Sequence, residues 1–389
     1  MKTESPSIDV DIVERSEQAE YYDWVRRFAL SLPDDTRERD RRGAFSRDAW
    51  DRCGKLGIQG LPAPEEYGGS GAGVVTTMVA LEALGYGCKD NGLVFSINAH
   101  LWTSVVPIWR FGSEDQKRKW LPGLCSGTLI GCHAITEPEA GSDAFSMKAS
   151  ARRVDGGFIL NGRKTFITNA PVADLLVVFA RTSEGIGPFG ISAFIVEAGT
   201  KGCSTSKGID KMGLRTSPMS EVLLDDCFVD ESSLLGRIGR GGDIFQESMR
   251  WERACIMSSQ VGVMQRTMER CIDYAKQRQQ FGKPIGQFES IADKIANMKI
   301  SIDASRALIQ TAGRRMDDGD DATLEAAVAK AFVSEAALRA QLDAVQIHGG
   351  YGFMTEFELE RSLRDAVGGT IYSGTSEIQR RIIARSLGL

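Results

Sequence analysis

Residues 148–161 read Lys-Ala-Ser-Ala-Arg-Arg-Val-Asp-Gly-Gly-Phe-Ile-Leu-Asn. Lys148–Val154 and Phe158–Asn161 flank Asp155-Gly156-Gly157, and two extended runs around an Asp-Gly turn predict a β-hairpin. Working outward, Leu175–Ala180, Ile191–Val196 and Glu221–Leu224 are short apolar or alternating runs bounded by Gly, Pro, Asp and Ser. Residues from about 129 to 235 therefore predict a compact antiparallel β unit, a small barrel or a sandwich.

On both sides of this unit the apolar period lengthens to that of a helix. Upstream, Tyr22, Trp24, Val25, Phe28, Ala29 and Leu32 recur at three- and four-residue spacing. Pro62-Ala63-Pro64 and Tyr67–Gly71 punctuate a loop, and helical patterning returns over Thr76–Leu84 and His100–Phe111. Ser113-Glu114-Asp115-Gln116 is a start signal for a short helix near Gln116–Leu121. Downstream of Gly241, one helix is predicted over Asp243–Gln277, broken by Phe281-Gly282-Lys283-Pro284. Further helices are predicted over Ser290–Arg315, Leu324–Val345 and Thr375–Ser386. Four helices of this length with short joints predict a bundle. The chain is thus expected to be multidomain α+β, with boundaries at 1–128, 129–240 and 241–389.

Composition narrows the function. The chain has 389 residues, and 47 basic against 52 acidic side chains leave a net charge of −5, which argues against a nucleic-acid partner held by a basic surface. No apolar run approaches the roughly 18–20 residues of a spanning helix, so no membrane role is expected. The N-terminal residues carry acids where a secretory leader would carry bases, and a cytoplasmic location is expected. Eight scattered cysteines contain no CxxC pair and read as reduced, packed thiols. His100, His133 and His348 lie far apart in sequence, so no metal site is expected. No strand–GxGxxG–helix order supports a Rossmann site.

Chemistry is carried by six motifs in order. Ile135-Thr136-Glu137-Pro138-Glu139-Ala140-Gly141-Ser142-Asp143 is a polar loop able to present N–H and O–H groups to the edge of a heteroaromatic ring. Lys164-Thr165-Phe166-Ile167-Thr168-Asn169, Lys211–Ser217, Arg278–Ile285, Gln346–Gly352 and Ile371–Gln379 follow. Together these resemble the acyl-CoA dehydrogenase family of flavoproteins, over nearly the whole chain from about residue 20 to Leu389.

The resemblance implies a helical N-terminal domain, a middle β-barrel and a C-terminal four-helix bundle with FAD held between them. Carried over by position, Thr136, Gly141 and Ser142 would bond FAD, and Phe166 and Thr168 would meet the flavin ring. Arg278, Phe281, Gln346, Gly349 and Gly350 would reach the FAD of a neighbouring subunit, and Thr375 and Glu377 the adenosine half. A homotetramer follows from the same likeness, with electron-transferring flavoprotein as the acceptor.

Dehydrogenating an acyl thioester needs a carboxylate to take the α-proton and donors for the developing enolate oxygen. Many family members place that Glu where this chain has Ser373, and a neutral serine is no base. Glu252, in Met249–Ile256, resembles the relocated base of isovaleryl-type members, with Arg253 beside it as a substrate contact together with Ser142. The backbone N–H of residue 373 is kept and would serve as the oxyanion donor. Trp251–Cys255, with Ser373-Gly374-Thr375-Ser376, is similar to dehydrogenases of prolyl or other short acyl groups held on carrier proteins. The expected reaction is FAD-dependent α,β-dehydrogenation of a short acyl or aminoacyl thioester, on a carrier protein or on coenzyme A. A short branched-chain acyl-CoA dehydrogenase, a flavin oxidase or monooxygenase, and a non-catalytic paralogue are the rival readings.

Overall fold

The structure, a computed structural model, describes residues 8–183 and 187–389, with side chains from residue 17 onward. Seven helices come first: α1 (Ile8–Leu30), α2 (Thr36–Arg42), α3 (Arg47–Lys55), α4 (Val74–Gly87), α5 (Asn91–His100), α6 (Val106–Phe111) and α7 (Glu114–Cys125). The starts of α3, α5 and α7 are set by side chains that satisfy otherwise unpaired N–H groups. Ser46 accepts from Ala49 N and Asp90 from Leu93 N, while Ser113 and Gln116 form a reciprocal capping box on α7, as the sequence signal there predicts. Leu101–Val105 joins α5 to α6 as a π-helical turn, so one continuous rod runs from Asn91 to Phe111. The sequence reading caught only its second half, because Asn91, Gly92, Ser96 and Asn98 dilute the apolar period of the first.

The middle unit holds β1 (Gly131–Ala134), β2 (Ser150–Val154), β3 (Gly157–Thr168), β4 (Leu175–Arg181), β5 (Ile191–Glu197), β6 (Cys203–Thr205), β7 (Met219–Asp230) and β8 (Leu234–Leu235). The predicted hairpin is the β2–β3 pair, turning at Asp155-Gly156 with Gly156 at φ +74°. The order is β6-β7-β3-β2-β4-β5-β8, with β1 parallel to β4. This corrects the expected antiparallel barrel. The sheet is open and mixed, because its ends, β6 and β8, are three and two residues long and do not pair with each other. β4 and β5 are buried on both faces: Leu175, Val177 and Phe179 join one apolar cluster, Leu176, Val178 and Ala180 another. That is why both strands read as apolar runs rather than alternating ones.

The C-terminal helices are α8 (Gly241–Cys255), α9 (Ser258–Gln277), α10 (Glu289–Asp317), α11 (Thr323–His348), α12 (Gly350–Phe353), α13 (Leu359–Gly369) and α14 (Ser376–Ser386), with a small hairpin of β9 (Gln279–Gln280) and β10 (Lys283–Pro284) after α9. The single helix expected over Asp243–Gln277 is two, divided at Ile256-Met257. The simple four-helix picture is widened as well. α9, α10 and α11 pack mutually, and α8, α13 and α14 lie against α11. α13 was not read from the sequence, since its apolar positions are few among Arg, Asp and Gly.

One core joins the first and last helical segments. Leu81 and Leu84 of α4, Trp102, Met257, Val261 and Met264, and Ile302 of α10 share a single cluster. Two glycines allow α4 and α9 to touch: a Cβ at Gly85 would stand 2.1 Å from the Ser259 carbonyl oxygen, and one at Gly262 2.0 Å from that of Glu82. Among the described residues, no helix is long and apolar enough to cross a membrane.

Candidate active site

A cavity of about 1170 Å³ opens where the three segments meet. That exceeds the ~300–1,000 Å³ of an ordinary small-molecule pocket, so it has room for a large cofactor and a substrate arm together. One end is built on α8 and the turn before α14. Glu252 is 7% exposed, and Ser373 Oγ donates to its Oε1 at 2.5 Å, leaving Oε2 buried without a partner. Burial raises the Glu252 pKa above the ordinary carboxylate value, against the opposing pull of the Ser373 hydroxyl, Arg253 and Lys330. Trp251, next to it, stacks on Trp102 with ring centroids 6.0 Å apart and donates its indole N–H to Glu247 Oε1. This packing locks the helix face that carries Glu252.

Ser373 sits at φ +58°, a backbone that a side chain adopts only when its surroundings hold it. Its carbonyl accepts from Gln379 Nε2 at 3.0 Å and Arg253 Nε at 3.4 Å. The Gly374 carbonyl accepts from Gln379 Nε2 at 2.9 Å and Lys330 Nζ at 2.7 Å. Phe95 and Tyr372 close this end, with ring centroids 4.7 Å apart. Both rings also line a small void of about 10 Å³ behind them, so the pair is the partition between the two spaces.

The other end is built on the loop after β1 and on β3. Lys164 is wholly buried and donates to Glu137 Oε1 at 2.8 Å and to the Ile135 carbonyl at 3.1 Å. Glu137 also accepts from the N–H groups of Lys148 and Ala149. Burial would raise the Glu137 pKa, but Lys164 and these N–H groups hold it below the ordinary value. Thr165 N donates to Thr136 O at 2.9 Å, which ties the loop to β3. The β3–β7 register slips between Lys164 and Ile167, and in this bulge Phe166 takes φ +57° and turns 60% exposed into the cavity.

Of the residues singled out by sequence, Thr136, Gly141, Ser142, Phe166, Thr168, Glu252, Arg253, Ser373 and Thr375 all line this one cavity. Thr375 also caps α14, accepting from Ile378 N. Glu377 is exposed on the first turn of α14 and does not line the cavity. Arg278, Phe281, Gln346, Gly349 and Gly350 also lie outside it. Arg278 and the Gly349–Gly350 turn belong to a second cluster at the ends of α9 and α11, where the Arg278 guanidinium lies 5.8 Å from the Tyr351 ring centroid and Tyr274 stacks on His348 at 4.2 Å. Phe281 is 93% exposed at the tip of the β9–β10 hairpin. Lys330 and Phe95 fall outside every motif read from the sequence, and Tyr372 and Gln379 lie within the Ile371–Gln379 motif without a role assigned there. Lys330 did carry a signal: it is a lone cation in the alanine-rich run Ala326–Ala331.

Burial takes His133 down to a pKa of about 3 and His100 to about 4, so both rings are neutral. His100 bridges Leu124 O and Gly131 N, a structural role. Among the described residues, no group of three metal-ligating side chains gathers. The donor set suits a flavin. Hydroxyl-bearing Thr136, Ser142 and Thr168 line one end, space beside Gly141 is open to a close ligand, and the buried Nε2 of His133 has no partner.

Family models of the acyl-CoA dehydrogenase N-terminal, middle and C-terminal domains match residues 15–128, 132–227 and 239–388. The chain belongs to the acyl-CoA dehydrogenase family, FAD-dependent oxidoreductases acting on CH–CH bonds. It is 45% identical over 346 residues to an L-prolyl-(peptidyl-carrier protein) dehydrogenase of Pseudomonas fluorescens, spanning 89% of this chain and 91% of the relative. To the mitochondrial isovaleryl-CoA dehydrogenase of Solanum tuberosum it is 40% identical over 350 residues, 90% of this chain and 84% of the relative. Among solved structures, the prolyl acyl carrier protein oxidase AnaB matches with a TM-score of 0.95 at 44% identity, covering 96% of this chain and 99% of that one. PigA with FAD and proline matches with a TM-score of 0.94 at 40% identity, over 100% of both chains.

Proposed function

We propose that this chain α,β-dehydrogenates a short acyl or aminoacyl thioester with FAD in the central cavity, and that a prolyl group on a carrier protein is its substrate. The observation that carries this reading is the buried Glu252–Ser373 pair at a cavity end closed by two aromatic rings. FAD, when bound, accepts the hydride from the β-carbon. Thr136, Gly141, Ser142, Phe166 and Thr168 would hold it from one end of the cavity, and Thr375 from the turn before α14 at the other.

Glu252 takes the α-proton. Its Oε1 accepts from Ser373 Oγ, its Oε2 is buried without a partner, and burial makes the carboxylate the stronger base. The Ser373 N–H donates to the thioester carbonyl oxygen as negative charge grows there. The Phe95–Tyr372 partition admits a five-membered ring or a short branched chain and stops a long one. Arg381 and Arg385 of α14 line the same cavity, and such cations suit the phosphate of a pantetheine arm. Arg278, Phe281, Gln346, Gly349 and Gly350 form a surface suited to the cofactor of a second copy, consistent with assembly as a homotetramer. The units 1–128, 129–240 and 241–389 are the domains of this reading, electron-transferring flavoprotein is its acceptor, and the cytoplasm its location.

Anaerobic photometry tests the proposal: prolyl-loaded carrier protein should bleach the bound FAD, and isovaleryl-CoA and butyryl-CoA should do so more slowly. A flavin that stays oxidised with all three overturns it. Faster bleaching by isovaleryl-CoA selects the second reading, a short branched-chain acyl-CoA dehydrogenase, which the Glu252 position also favours. Hydrogen peroxide formed in air would mark an oxidase.

A further inference from the structure

Lys330 is wholly buried on α11, an environment that disfavours an ammonium and pushes its pKa down to about 8. Its Nζ donates to the Gly374 carbonyl at 2.7 Å, and the charged groups around it are Glu252 and Arg253 of α8, Glu335 of its own helix and Glu377 of α14. The same two carbonyls, of Ser373 and Gly374, also take three hydrogen bonds from Gln379 and Arg253. Four N–H contacts from three helices thus converge on one dipeptide whose first residue is held at φ +58° and whose second is at φ +89°. A serine has no intrinsic reason to stay there. Reversing that dihedral would swing the Ser373 N–H and move its hydroxyl away from Glu252.

We propose that Lys330 is a positioning residue: through the Gly374 carbonyl it holds the Ser373 backbone in its left-handed turn. The inference rests on the functional reading above, and goes beyond it by assigning a lysine that touches neither reacting atom. Lys330 acts as a hydrogen-bond donor to the turn that carries Ser373. Glutamine keeps a donor and loses the charge, whereas methionine loses both.

The experiment uses the FAD-loaded holoenzyme and whichever of the three thioesters bleaches the native flavin fastest. Lys330→Met should bind FAD as the native chain does and reduce it about 10–10²-fold more slowly, the scale of a misplaced catalytic group. Lys330→Gln, which keeps a donor for the Gly374 carbonyl, should regain most of the native rate, a rescue that a merely space-filling role would not give. A native rate for Lys330→Met overturns the proposal. If the methionine variant does not fold, a Lys330→Gln rate lowered by about tenfold or more overturns it instead. If no thioester bleaches the native flavin, the functional reading has failed. A crystal structure of Lys330→Met then decides the positioning role, since an unchanged Ser373–Gly374 turn excludes it and a displaced one supports it.

Discussion

Glu252 carries two opposed demands in one side chain. It must be buried enough to be a strong base, yet ionised enough to act. Burial sets its pKa upward and the Ser373 hydroxyl draws it back. Glu252→Gln keeps the shape and removes the base, so flavin reduction should fall by about 10²–10⁴ with FAD content unchanged, as read by stopped-flow absorbance. The pH dependence has a definite sign. Activity needs the carboxylate, so the rate should rise with pH through a midpoint above the ordinary Glu value of about 4.3. Ser373→Ala removes the hydrogen bond that favours the charged form and should move that midpoint higher, while costing less than tenfold on the plateau because the backbone N–H remains. A lower midpoint would contradict the pairing. The sequence showed Glu252 and Ser373 as a complementary exchange of residue types, but not that they touch, because contact between positions 121 apart is a property of packing.

At the scale of elements, the rod formed by α5 and α6 sets how deep the cavity runs. Phe95 points from it onto Tyr372, and the small void behind them is lined by Asn91, Asn98 and Gln260. Phe95→Ala should remove the partition and raise the rate with hexanoyl or octanoyl thioesters relative to butyryl, measured as the ratio of kcat/KM values. An unchanged ratio would place the chain-length limit elsewhere. The α4–α9 crossing makes a separate prediction. Gly262→Val has no space against the Glu82 carbonyl and should destabilise the fold by about 1–3 kcal/mol, seen as a lower Tm. Helices with strong periods or explicit caps were legible, as at Ser113 and over Ser290–Arg315. α13 and the break at Ile256-Met257 were not, since neither has a cap or a proline to announce it. Barrel closure was also out of reach, because it depends on edge strands of two and three residues.

For the whole molecule, the second cluster at the ends of α9 and α11 carries the clearest expectation. Arg278 and the exposed Phe281 stand clear of the cavity in their own chain. Arg278→Ala should therefore lower FAD retention on dilution while leaving the monomer's helicity intact, by flavin absorbance and circular dichroism. Loss of helicity together with FAD would instead make Arg278 a stabiliser of its own chain. The three-part layout was visible in the sequence as two changes of period. The sharing of one core between the outer two parts was not, because apolar residues on a helix do not say which distant helix they meet.

That shared core has a consequence for how the chain is made. α4 leaves the ribosome long before α9 exists, since Gly85 and its contact Ser259 are separated by roughly 170 positions, and non-local contacts of this kind slow folding. At ~5–20 residues per second of synthesis, the apolar face of α4 waits on the order of 10–35 s for its cover. The sheet between them can close its hairpins within that interval, because β2–β3 and β4–β5 pair neighbours in sequence. The middle of the chain is thus free to finish first, and its two flanks must find each other across a part already folded.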